Sequence, residues 1–582
     1  MPEIIKRNSV NNKYNKFISK EVKKSKNVNY ELIGGRKNVI KKETNIYKTN
    51  NRAQIGSSIS IIPTLDGLPR IDRSLVDYKK YHKHVGHAGR TNFMAVQATR
   101  GCPYKCFYCD IYKTTVVHYR RSVKDIIDEV KMIADLGVKR IEFIDDIFNV
   151  NLKHCSTFFE TIIKEGLDLE FMFPTGLKGD LLTKELIDVM VQGGTKGMNL
   201  SLEHASPRLQ KVMRKNLNVE KFKENIQYIA SKYPFVVVGM NTMHGFPTET
   251  EEEAYETLNF IKSIKWIHFP YMFNVRVFPG TELEHFALEQ GVSKKLIEES
   301  QDMSYEEGSP TIPFTRDFTK GIKTIFLRDY VLNKERLLTI LPHQMRQFTK
   351  DELDQRYDAY FPSQINSLDD LLRVAGIKWS ELEEQKCLDK SKIEIPNLDT
   401  KIKKYFKPKK KKKDALNLML IDLSTYYMKA GDHREYNVLE PPLGLMALLS
   451  FINEQKFADQ VNGKIFKSFI DFNSHDELVK LIKDFKPNII GIRAMTFYRN
   501  FFHDAIAHLR KSGIKTPIIV GGPYPTASYT EVLKDKNIDV AVLSEGEMTL
   551  AEILKRTLKN NKQFLTKKEL AEISGIAFRK KD

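Results

Sequence analysis

Cysteine is scarce in this chain of 582 residues, which contains only five, and tryptophan occurs only twice. A small, odd number of cysteines argues against a disulfide framework and for a reducing compartment, so we expect a cytoplasmic protein. No run of the sequence approaches the roughly 18 consecutive apolar residues of a membrane-spanning helix. No apolar segment follows the basic N-terminus, as a secretory signal would require. The sequence therefore predicts neither a membrane span nor secretion.

Basic residues outnumber acidic residues in this chain, and the formal net charge is +19. The excess is concentrated in residues 1–56, with 14 basic and 4 acidic residues, and in residues 401–414, with 9 lysines and 1 aspartate. A nucleic-acid-binding surface would instead place basic residues on a folded face among aromatic side chains. We predict a disordered basic tail over 1–56 and a Lys-rich linker over 401–414, with an electrostatic partner as the alternative. The charge distribution argues against a nucleic-acid partner.

Strand-like and helix-like segments alternate in residues 57–285. The strand-like runs are FMAVQA (93–98), RIEFID (140–145), LEFMF (169–173), GMNLSL (197–202), FVVVGM (235–240) and YMFNVRVF (271–278). Six strands that alternate with helices predict an α/β fold with a parallel sheet, open or curved into a partial (β/α)6 barrel. Ligands of such sheets bind at the carboxyl ends of the strands.

The remainder of the chain divides into a helical part and a second alternating part. Residues 286–400 have a helical pattern, and we expect this extension to cover the open end of the barrel as a substrate cap. Residues 415–582 contain five further strand-like runs: LNLMLID (416–422), FKSFIDF (466–472), NIIGIRA (488–494), PIIVGG (517–522) and DVAVLS (539–544). These runs predict a C-terminal doubly wound, Rossmann-like domain.

Three of the five cysteines lie in the stretch ATRGCPYKCFYCDIY, at Cys102, Cys106 and Cys109, directly after the first predicted strand. A structural zinc site normally takes four ligands. Three thiolates on one loop instead suit a 4Fe–4S cluster in which one iron has no protein ligand. Cys155 and Cys387 are distant in sequence, and we interpret them as incidental thiols. The spacing therefore predicts a metal cluster held by the first three cysteines.

The spacing CxxxCxxC after the first strand of a six-fold βα repeat resembles the radical S-adenosylmethionine (radical SAM) family. In that family the open iron binds S-adenosylmethionine, and an electron from the cluster cleaves the sulfonium to give a 5′-deoxyadenosyl radical. The resemblance implies that Tyr108 lies beside the adenine. In FIDDIFNVN it implies that Asp145 and Asp146 bind the ammonium group, and in NLSLEHASPRL that Ser201 and Glu203 meet the ribose hydroxyls. An electron donor such as flavodoxin or ferredoxin is also implied.

Two later loops extend this resemblance. HGFPTET (244–250) and VFPGTEL (277–283) match the loops after strands five and six of the family, where glycine and proline would shape the backbone around the cofactor. A purely structural turn is the alternative for each. Lys178, after strand three, would pair with the carboxylate of the cofactor.

The segments PPLGLMALLSFI, GIRAMT, VGGPYPT and SEGEMTL lie at strand-to-helix corners of the second domain. In this order they resemble the cobalamin-binding domain of one radical SAM subfamily. The resemblance implies contacts with the lower face of the corrin or with the nucleotide tail at Ala494, Met495, Thr496, Gly521, Gly522, Glu545 and Gly546. The subfamily often has histidine where this chain has Tyr524. The alternative is an empty nucleotide-type fold.

A histidine ligand to cobalt is not expected from this domain. Methionine-synthase-like domains carry Asp-x-His-x-x-Gly, whereas this chain has only GDHREY around His433, which breaks both the spacing and the glycine. We therefore expect base-off cobalamin without a protein histidine ligand.

The resemblance implies a cobalamin-dependent radical SAM enzyme, with methyl transfer to an unactivated carbon or phosphorus centre of a small-molecule or peptide substrate. A cobalamin-dependent radical cyclase or rearrangement enzyme shares these motifs. A tRNA methylthiotransferase would need a second cluster with about three more cysteines. A non-catalytic cobalamin or redox sensor would not need the cysteine loop.

The order of the domains also differs from that subfamily, in which the cobalamin domain usually precedes the barrel. ISGIAFRKKD (573–582) resembles the end of a cobalamin domain, and ISIIPTLDGLPRIDRSL (59–75) resembles the segment that normally follows it. We therefore predict a circular permutation in which Asp582 lies near residues 59–63. The Gly521–Gly522 edge should then face the Cys102–Cys109 loop.

Overall fold

The computed structural model describes the backbone of residues 30–32, 40–42, 53–55 and 59–61, and then residues 64–115, 118–301, 313–361, 364–382, 385–427 and 439–579. Within these ranges the strands are β1 (Tyr30–Leu32), β2 (Ile40–Lys42), β3 (Ala53–Ile55), β4 (Ile59–Ile61), β5 (Phe93–Val96), β6 (Thr99–Arg100), β7 (Tyr119–Arg120), β8 (Arg140–Phe143), β9 (Glu170–Leu177), β10 (Thr195–Glu203), β11 (Val237–His244), β12 (Phe269–Asn274), β13 (Leu416–Asp422), β14 (Val461–Lys467), β15 (Ile489–Arg493), β16 (Ile518–Gly521), β17 (Val540–Val542) and β18 (Ile576–Arg579).

The α-helices of the same ranges are α1 (Tyr78–Tyr81), α2 (Ile111–Thr114), α3 (Val123–Asp135), α4 (Leu152–Lys164), α5 (Lys184–Gln192), α6 (Pro207–Val212), α7 (Val219–Lys232), α8 (Glu251–Lys262), α9 (Glu282–Glu289), α10 (Lys294–Ser300), α11 (Arg316–Phe326), α12 (Lys334–Met345), α13 (Lys350–Tyr360), α14 (Leu368–Val374), α15 (Leu398–Tyr405), α16 (Leu443–Asn453), α17 (His475–Phe485), α18 (Arg499–Lys511), α19 (Pro523–Val532), α20 (Glu547–Lys559) and α21 (Lys567–Ala571). A π-helical turn, Leu327–Val331, follows α11.

The first domain is built on a six-stranded parallel sheet whose strands neighbour one another in chain order, β5-β8-β9-β10-β11-β12. Successive side chains of a strand point to opposite faces. On β8, Phe143 packs against Phe158 of α4, with ring centroids 5.5 Å apart, so Arg140 and Glu142 lie on the inner face. Sequential parallel strands with helices on their outer face confirm the predicted partial barrel.

Helix α13 contacts the sheet at the beginnings of its first, second and last strands. Arg140 Nη1, at the start of β8, lies 2.5 Å from Glu352 Oε1. Arg356 Nη1 donates to the carbonyl of Ala88 at 2.5 Å, and its guanidinium lies 3.6 Å from the ring centroid of Phe269 at the start of β12. The expectation that residues 286–400 form a substrate cap is therefore wrong for this helix, because its contacts are at the end of the barrel opposite the cysteine loop.

The second domain is built on a seven-stranded sheet with the order β14-β13-β15-β16-β17-β18-β3. The strands from β14 to β17 are parallel, and β18 is antiparallel to its neighbours. The chain reverses direction across the sheet at β13, which is where doubly wound domains bind ligands. The predicted doubly wound domain is confirmed.

The last strand of this sheet comes from the other end of the described chain. The backbone of β3 pairs with that of β18, and Ile55 lies opposite Ala577. Strands β1, β2 and β3 all lie within 1–56, so the expected disorder does not apply to them. Local composition did not indicate these strands, because their hydrogen-bonding partners are other strands of the chain.

The Lys-rich segment 401–414 is in contact with the second domain. Its first residues complete α15, and Lys411 Nζ donates to Asn453 Oδ1 at 2.9 Å and to the carbonyl of Ala458 at 3.0 Å. The expectation of a linker that spans the surface without packing is therefore wrong. Lys411 therefore binds acceptors at the end of α16 and in the segment that follows it.

Candidate functional site

The cysteine loop is fixed by backbone hydrogen bonds. The Cys109 N–H donates to the Cys106 carbonyl at 3.1 Å, which closes a tight turn. The Phe107 N–H donates to the carbonyl of Met213, and the Leu283 N–H donates to the carbonyl of Phe107, each at 3.0 Å. The loop is therefore held between the chain that follows β10 and the chain that follows β12, at the carboxyl end of the barrel.

The three thiols of this loop are half-buried and close enough to influence one another. Burial first, and then the nearby charges of Cys106 and Asp146, raise the pKa of Cys102 to about 11. Burial also raises the pKa of Cys106 and of Cys109. Bound iron would favour the thiolate form of each side chain.

The donor set suits a cluster rather than a single ion. Among the described residues, no three His, Cys, Asp or Glu side chains converge on a position that one metal ion could occupy. Cluster ligation does not require such convergence, because each thiolate binds its own iron. Cys155 is fully buried in α4, and Cys387 lies in the helical extension, so neither joins the loop.

Asp145 and Asp146 hold the chain that enters the cysteine loop. Asp145 is 1% exposed, and its Oδ1 accepts hydrogen bonds from the N–H of Ala98 and from the N–H and hydroxyl of Thr99. Burial raises the pKa of Asp145 to about 7. Asp146 is exposed, and its Oδ2 accepts from the Gly101 N–H at 2.8 Å. This geometry gives Asp145 a positioning role and leaves Asp146 accessible to a cofactor.

Glu203 connects the cysteine loop with the fourth barrel strand. Its Oε1 accepts from the hydroxyl of Tyr108 at 3.2 Å and from Lys215 Nζ at 2.6 Å. Among the described residues no donor is bonded to its Oε2. The φ angle of Glu203 is +66°, and a left-handed backbone at a residue other than glycine is typical of functional sites. Ser201, two residues earlier, accepts from Asn241 Nδ2 at 3.3 Å.

The loop 244–250 packs against the aromatic residues of the cysteine loop. Phe246 is stacked on Phe107 at 6.3 Å and lies edge-on to Tyr108 at 6.0 Å. The N–H groups of Gly245 and Phe246 donate to Glu249 Oε2, while His204 and His244 lie 3.2 Å from its Oε1. The sequence analysis singled out this loop but not the buried carboxylate of Glu249, which determines the shape of the loop.

Lys178 lies beside the cysteine loop but is bound within the protein. Its Nζ donates to both oxygens of Asp180, at 2.7 and 2.8 Å, and lies 5.4 Å from the ring centroid of Tyr104. The expected ion pair with a cofactor carboxylate would have to compete with Asp180.

The predicted cobalamin contacts lie on neighbouring loops at the carboxyl edge of the second sheet. Ala494 follows β15, its N–H donates to the Gly521 carbonyl at 3.0 Å, and its carbonyl accepts from the N–H of Tyr524 at 3.3 Å. Gly522 has a φ of +96°, and a side chain there would come within 3.0 Å of the Ala494 carbonyl. At Gly521 a Cβ would make only ordinary contacts, the nearest at 3.8 Å, with Val542.

The structure describes the remaining predicted cobalamin contacts but not the broken histidine motif. Met495 is half-buried, Thr496 is buried, and Gly546 precedes α20. Tyr524, at the position where the subfamily often has histidine, lies 3.1 Å from His503 Nε2. His433 lies outside the described residues.

Arg100 connects the two domains, and the sequence analysis did not identify it. Its Nη1 lies 2.6 Å from Glu545 Oε2 and 2.7 Å from Glu547 Oε1, and all three side chains are largely buried. Burial would lower the pKa of Arg100, but the two carboxylates raise it above its ordinary value. Glu545, predicted to line the nucleotide tail, therefore contacts the strand that precedes Cys102.

The glycine edge of the second domain faces the cysteine loop, as predicted. Helix α19, which begins directly after Gly522, packs against α2, which begins two residues after Cys109. Nearby, the rings of Phe278 and Phe497 lie 5.0 Å apart, which joins the segment after β12 to the loop after β15. The pairing of β18 with β3 supports the predicted permutation, although Asp582 itself lies outside the described residues.

Family models match both regions. Residues 96–261 match the Radical SAM superfamily, and residues 434–554 match the B12 binding domain. The chain therefore contains a radical SAM domain. More particularly, it combines this domain with a B12-binding domain, which here follows the barrel.

Curated relatives resemble parts of the chain. An uncharacterized methyltransferase of Pyrococcus horikoshii is 27% identical over 42% of this chain and 51% of the relative. A tRNA-2-methylthio-N(6)-dimethylallyladenosine synthase of Aquifex aeolicus is 26% identical over 40% of this chain and 52% of the relative. The cytidylyl-2-hydroxyethylphosphonate methyltransferase of Streptomyces wedmorensis is 26% identical over 41% and 46%, respectively. The chain thus spans about half the length of the curated relatives it matches.

Among the solved structures that match part of this chain is the radical S-adenosylmethionine methyltransferase TsrM from Kitasatospora setae with cobalamin and a [4Fe–4S] cluster. It is 19% identical, covers 40% of this chain and 41% of that chain, and has a TM-score of 0.33. Within the described residues, no helix combines the length and apolar character needed to cross a membrane.

The two matched domains imply the cofactors. A radical SAM domain implies a 4Fe–4S cluster and S-adenosylmethionine, and a B12-binding domain implies cobalamin. The half-buried thiols of the cysteine loop fit a cluster, and the glycines at the corner after β16, Gly521 and Gly522, let a ligand approach the backbone closely.

Proposed function

We propose that this protein is a cobalamin-dependent radical SAM methyltransferase acting on an unactivated carbon or phosphorus centre. The observation that carries the proposal is the juxtaposition of the two predicted cofactor sites. Arg100 lies two residues before Cys102 and pairs with Glu545 of the B12-binding domain, and α19 packs against α2. Two of the curated relatives are named as methyltransferases, which favours methyl transfer over the other chemistries of this class.

The cofactors would divide the chemistry, with cluster-bound S-adenosylmethionine supplying hydrogen abstraction and cobalamin supplying the methyl group. The protein's own residues would then bind and orient them. Cys102, Cys106 and Cys109 would ligate the cluster, and Glu203 would accept from the ribose hydroxyls through Oε2. An electron donor such as flavodoxin or ferredoxin would reduce the cluster.

The experiment uses the full chain, reconstituted without oxygen with iron, sulfide and cobalamin. Each methyl transfer should consume two molecules of S-adenosylmethionine, giving one 5′-deoxyadenosine and one S-adenosylhomocysteine. Candidate small molecules and peptides are screened for a mass gain of one methyl group. Release of 5′-deoxyadenosine with a rearranged product of unchanged mass would instead identify a cyclase or rearrangement enzyme. No 5′-deoxyadenosine in the reconstituted protein would exclude the radical function.

A methylthiotransferase, the activity for which several relatives are named, would need further cysteines. Only Cys155 and Cys387 remain outside the loop, and Cys155 is enclosed among the side chains of the barrel core. These two thiols are too few for the second cluster.

Cobalamin is proposed to bind base-off and without a histidine from this chain. His433→Ala should leave the absorption spectrum of bound cobalamin unchanged. Loss of a nitrogen-ligated cobalt spectrum in this variant would show that His433 is a ligand.

A further inference from the structure

The inner face of the barrel contains a buried acid without a full set of hydrogen bonds. Glu142 of β8 is 0% exposed. The N–H of Ala88 donates to its Oε2 at 3.2 Å, and its Oε1 has no hydrogen-bond partner among the described residues. A buried carboxylate oxygen without a donor is costly, so the vacancy requires an explanation.

A buried acid of α13, Glu352, shows how such a group is normally satisfied. Glu352 is also 0% exposed, but its Oε1 accepts from the N–H and hydroxyl of Thr91, each at 2.7 Å, and from Arg140 Nη1 at 2.5 Å. Arg140 lies two residues before Glu142 on the same face of β8. Three donors thus bind one oxygen of Glu352, whereas Glu142, one layer nearer the cysteine loop, receives only the N–H of Ala88.

A second acid approaches Glu142 from the B12-binding domain. Glu440 lies just before α16, and its Oε1 accepts from the N–H of His87 at 2.8 Å. Burial first, and then the charge of Glu440, hold the pKa of Glu142 well above its ordinary value. Leu443 of the same segment packs against Phe93 and Ala95 on the first barrel strand. The segment 439–443 therefore covers the inner face of the barrel beside Glu142.

Two arginines lie near Glu142, but the hydrogen bond, ring contact and ion pair described below join them to other residues. Arg356 Nη1 donates to the Ala88 carbonyl, and its guanidinium stacks on Phe269. Arg90 Nη1 lies 2.8 Å from Glu170 Oε2 as an ion pair, although neither Nη1 nor Nε of Arg90 makes a hydrogen bond among the described residues. Neither arginine makes a hydrogen bond with the unpartnered oxygen of Glu142.

A further acceptor without a partner lies on the inner face. Met198 and Leu200 of β10 belong to the apolar core on the outer side of the sheet, so Asn199 lies on the inner side. Asn199 Nδ2 donates to Asn241 Oδ1 at 3.2 Å, while Asn199 Oδ1 is buried and has no partner among the described residues. The inner face of the barrel therefore has two buried acceptors, Glu142 Oε1 and Asn199 Oδ1, without hydrogen-bond partners among the described residues.

We propose that Glu142, together with Glu440, binds a cationic group of the substrate, either a protonated primary amine or a guanidinium. A cation would supply the donor that Glu142 Oε1 lacks and would offset the repulsion between two adjacent carboxylates. The inference rests on the proposed function only because it takes the interior of the barrel as the substrate site. It assigns the substrate to the class that carries a basic nitrogen.

The experiment measures binding of simple cations to the cluster- and cobalamin-loaded full chain by calorimetry and thermal unfolding. The probes are n-propylammonium and methylguanidinium, compared with 1-propanol and propionate at matched ionic strength. At least one cation should bind saturably and raise the melting temperature, whereas the neutral and anionic probes should not. Glu142→Gln, which keeps the shape of the side chain, should weaken cation binding about ten- to hundredfold. Glu335→Gln, an exposed position on α12, is the matched control and should bind as the parent does.

Two results would overturn the inference: no saturable cation binding in the parent, or equal binding in Glu142→Gln. Because Glu142 is buried, Glu440→Gln at the half-buried partner provides a second test and should also weaken binding. Substrate-independent release of 5′-deoxyadenosine is measured in the same samples. If a parent protein that does not bind the cations still releases 5′-deoxyadenosine, only the cation site is refuted. If the parent releases no 5′-deoxyadenosine, the proposed function is refuted.

Discussion

Arg100 Nη1 lies 2.6 Å from Glu545 Oε2, and this ion pair joins the strand before the cysteine loop to the B12-binding domain. The same nitrogen lies 2.7 Å from Glu547 Oε1. The two domains are thus connected within two residues of the first predicted cluster ligand. A disturbance of this contact should be felt at both cofactor sites.

Arg100→Gln should therefore destabilise the protein strongly, because it leaves two largely buried carboxylates without their cation. Loss of one partner from a buried ion pair typically costs about 3–5 kcal/mol. We expect a lower melting temperature, with part of the loss recovered when Glu545→Gln and Glu547→Gln are added. Arg120→Gln, on the exposed neighbouring strand, is the control. A melting temperature equal to that of the parent would contradict the importance of the contact.

The three cysteines of the loop should be individually indispensable for the cluster. Replacing Cys102, Cys106 or Cys109 by alanine should abolish the visible absorption after anaerobic reconstitution, because a three-thiolate site has no spare ligand. Replacing Cys155 or Cys387 should leave the absorption intact. If Cys155→Ala also removed it, the assignment of the open iron to S-adenosylmethionine would be wrong.

Glu203→Gln should weaken binding of S-adenosylmethionine without loss of the cluster. Glutamine keeps one acceptor but loses the charge that pairs with Lys215, and a charge-assisted hydrogen bond is worth about 1.5–3 kcal/mol. Equilibrium dialysis should show a dissociation constant raised about tenfold or more. Glu220→Gln, an exposed acid on α7, serves as the comparison. Unchanged affinity would remove Glu203 from the cofactor site.

Glu249→Gln should alter how stability depends on pH. Burial alone would raise the pKa of Glu249, but hydrogen bonds and charge from His204 and His244 lower it to about 2, from an ordinary 4.5. A lowered carboxyl pKa stabilises the fold at pH values above 4.5, and this contribution is lost as pH falls from 4.5 through 2. At pH 7 it amounts to about 3 kcal/mol.

Thermal unfolding between pH 3 and 7 tests this. The variant should be less stable than the parent at pH 7, and the difference should shrink below pH 4.5. Glu251→Gln, at the exposed start of α8, should follow the parent at every pH. If the difference in stability between the variant and the parent does not change with pH, the carboxyl charge of Glu249 does not contribute to stability.

The pairing of β3 with β18 predicts that the chain can be reconnected. A circularly permuted variant that joins residue 582 to residue 51 through a short flexible link, and opens near residue 408, keeps β3 and should fold and bind cobalamin. Tolerance of permutation requires that the joined segments already lie close together. A variant without residues 51–56 should be less stable, because β18 loses its backbone partner. Failure of the permuted chain to bind cobalamin would count against this arrangement.

Much of this architecture was predictable, because alternating strands and helices determine a parallel sheet and the cysteine spacing marks its functional end. Boundaries shifted by a few residues, as in β9, which extends to Leu177. Contacts between distant segments were not predictable. No local sequence motif marks Arg100 or Glu142. The partners of Arg100 lie more than 400 residues away in sequence. Glu142 stands out only because one of its oxygens has no hydrogen-bond partner among the described residues. The role of α13 was mistaken because helical periodicity does not specify which end of a barrel a helix contacts.

The pairing of β3 with β18 also affects how the chain is assembled during synthesis. The ribosome releases β3 early and β18 late, because the two strands lie at opposite ends of the described sequence. In the interval the backbone donors and acceptors of β3 lack this partner, and unpaired strand edges attract other chains. Domains usually fold as they emerge, in order from the N-terminus. Here the B12-binding domain completes its sheet with a strand made before the barrel, so this pairing forms only after the entire barrel has left the ribosome.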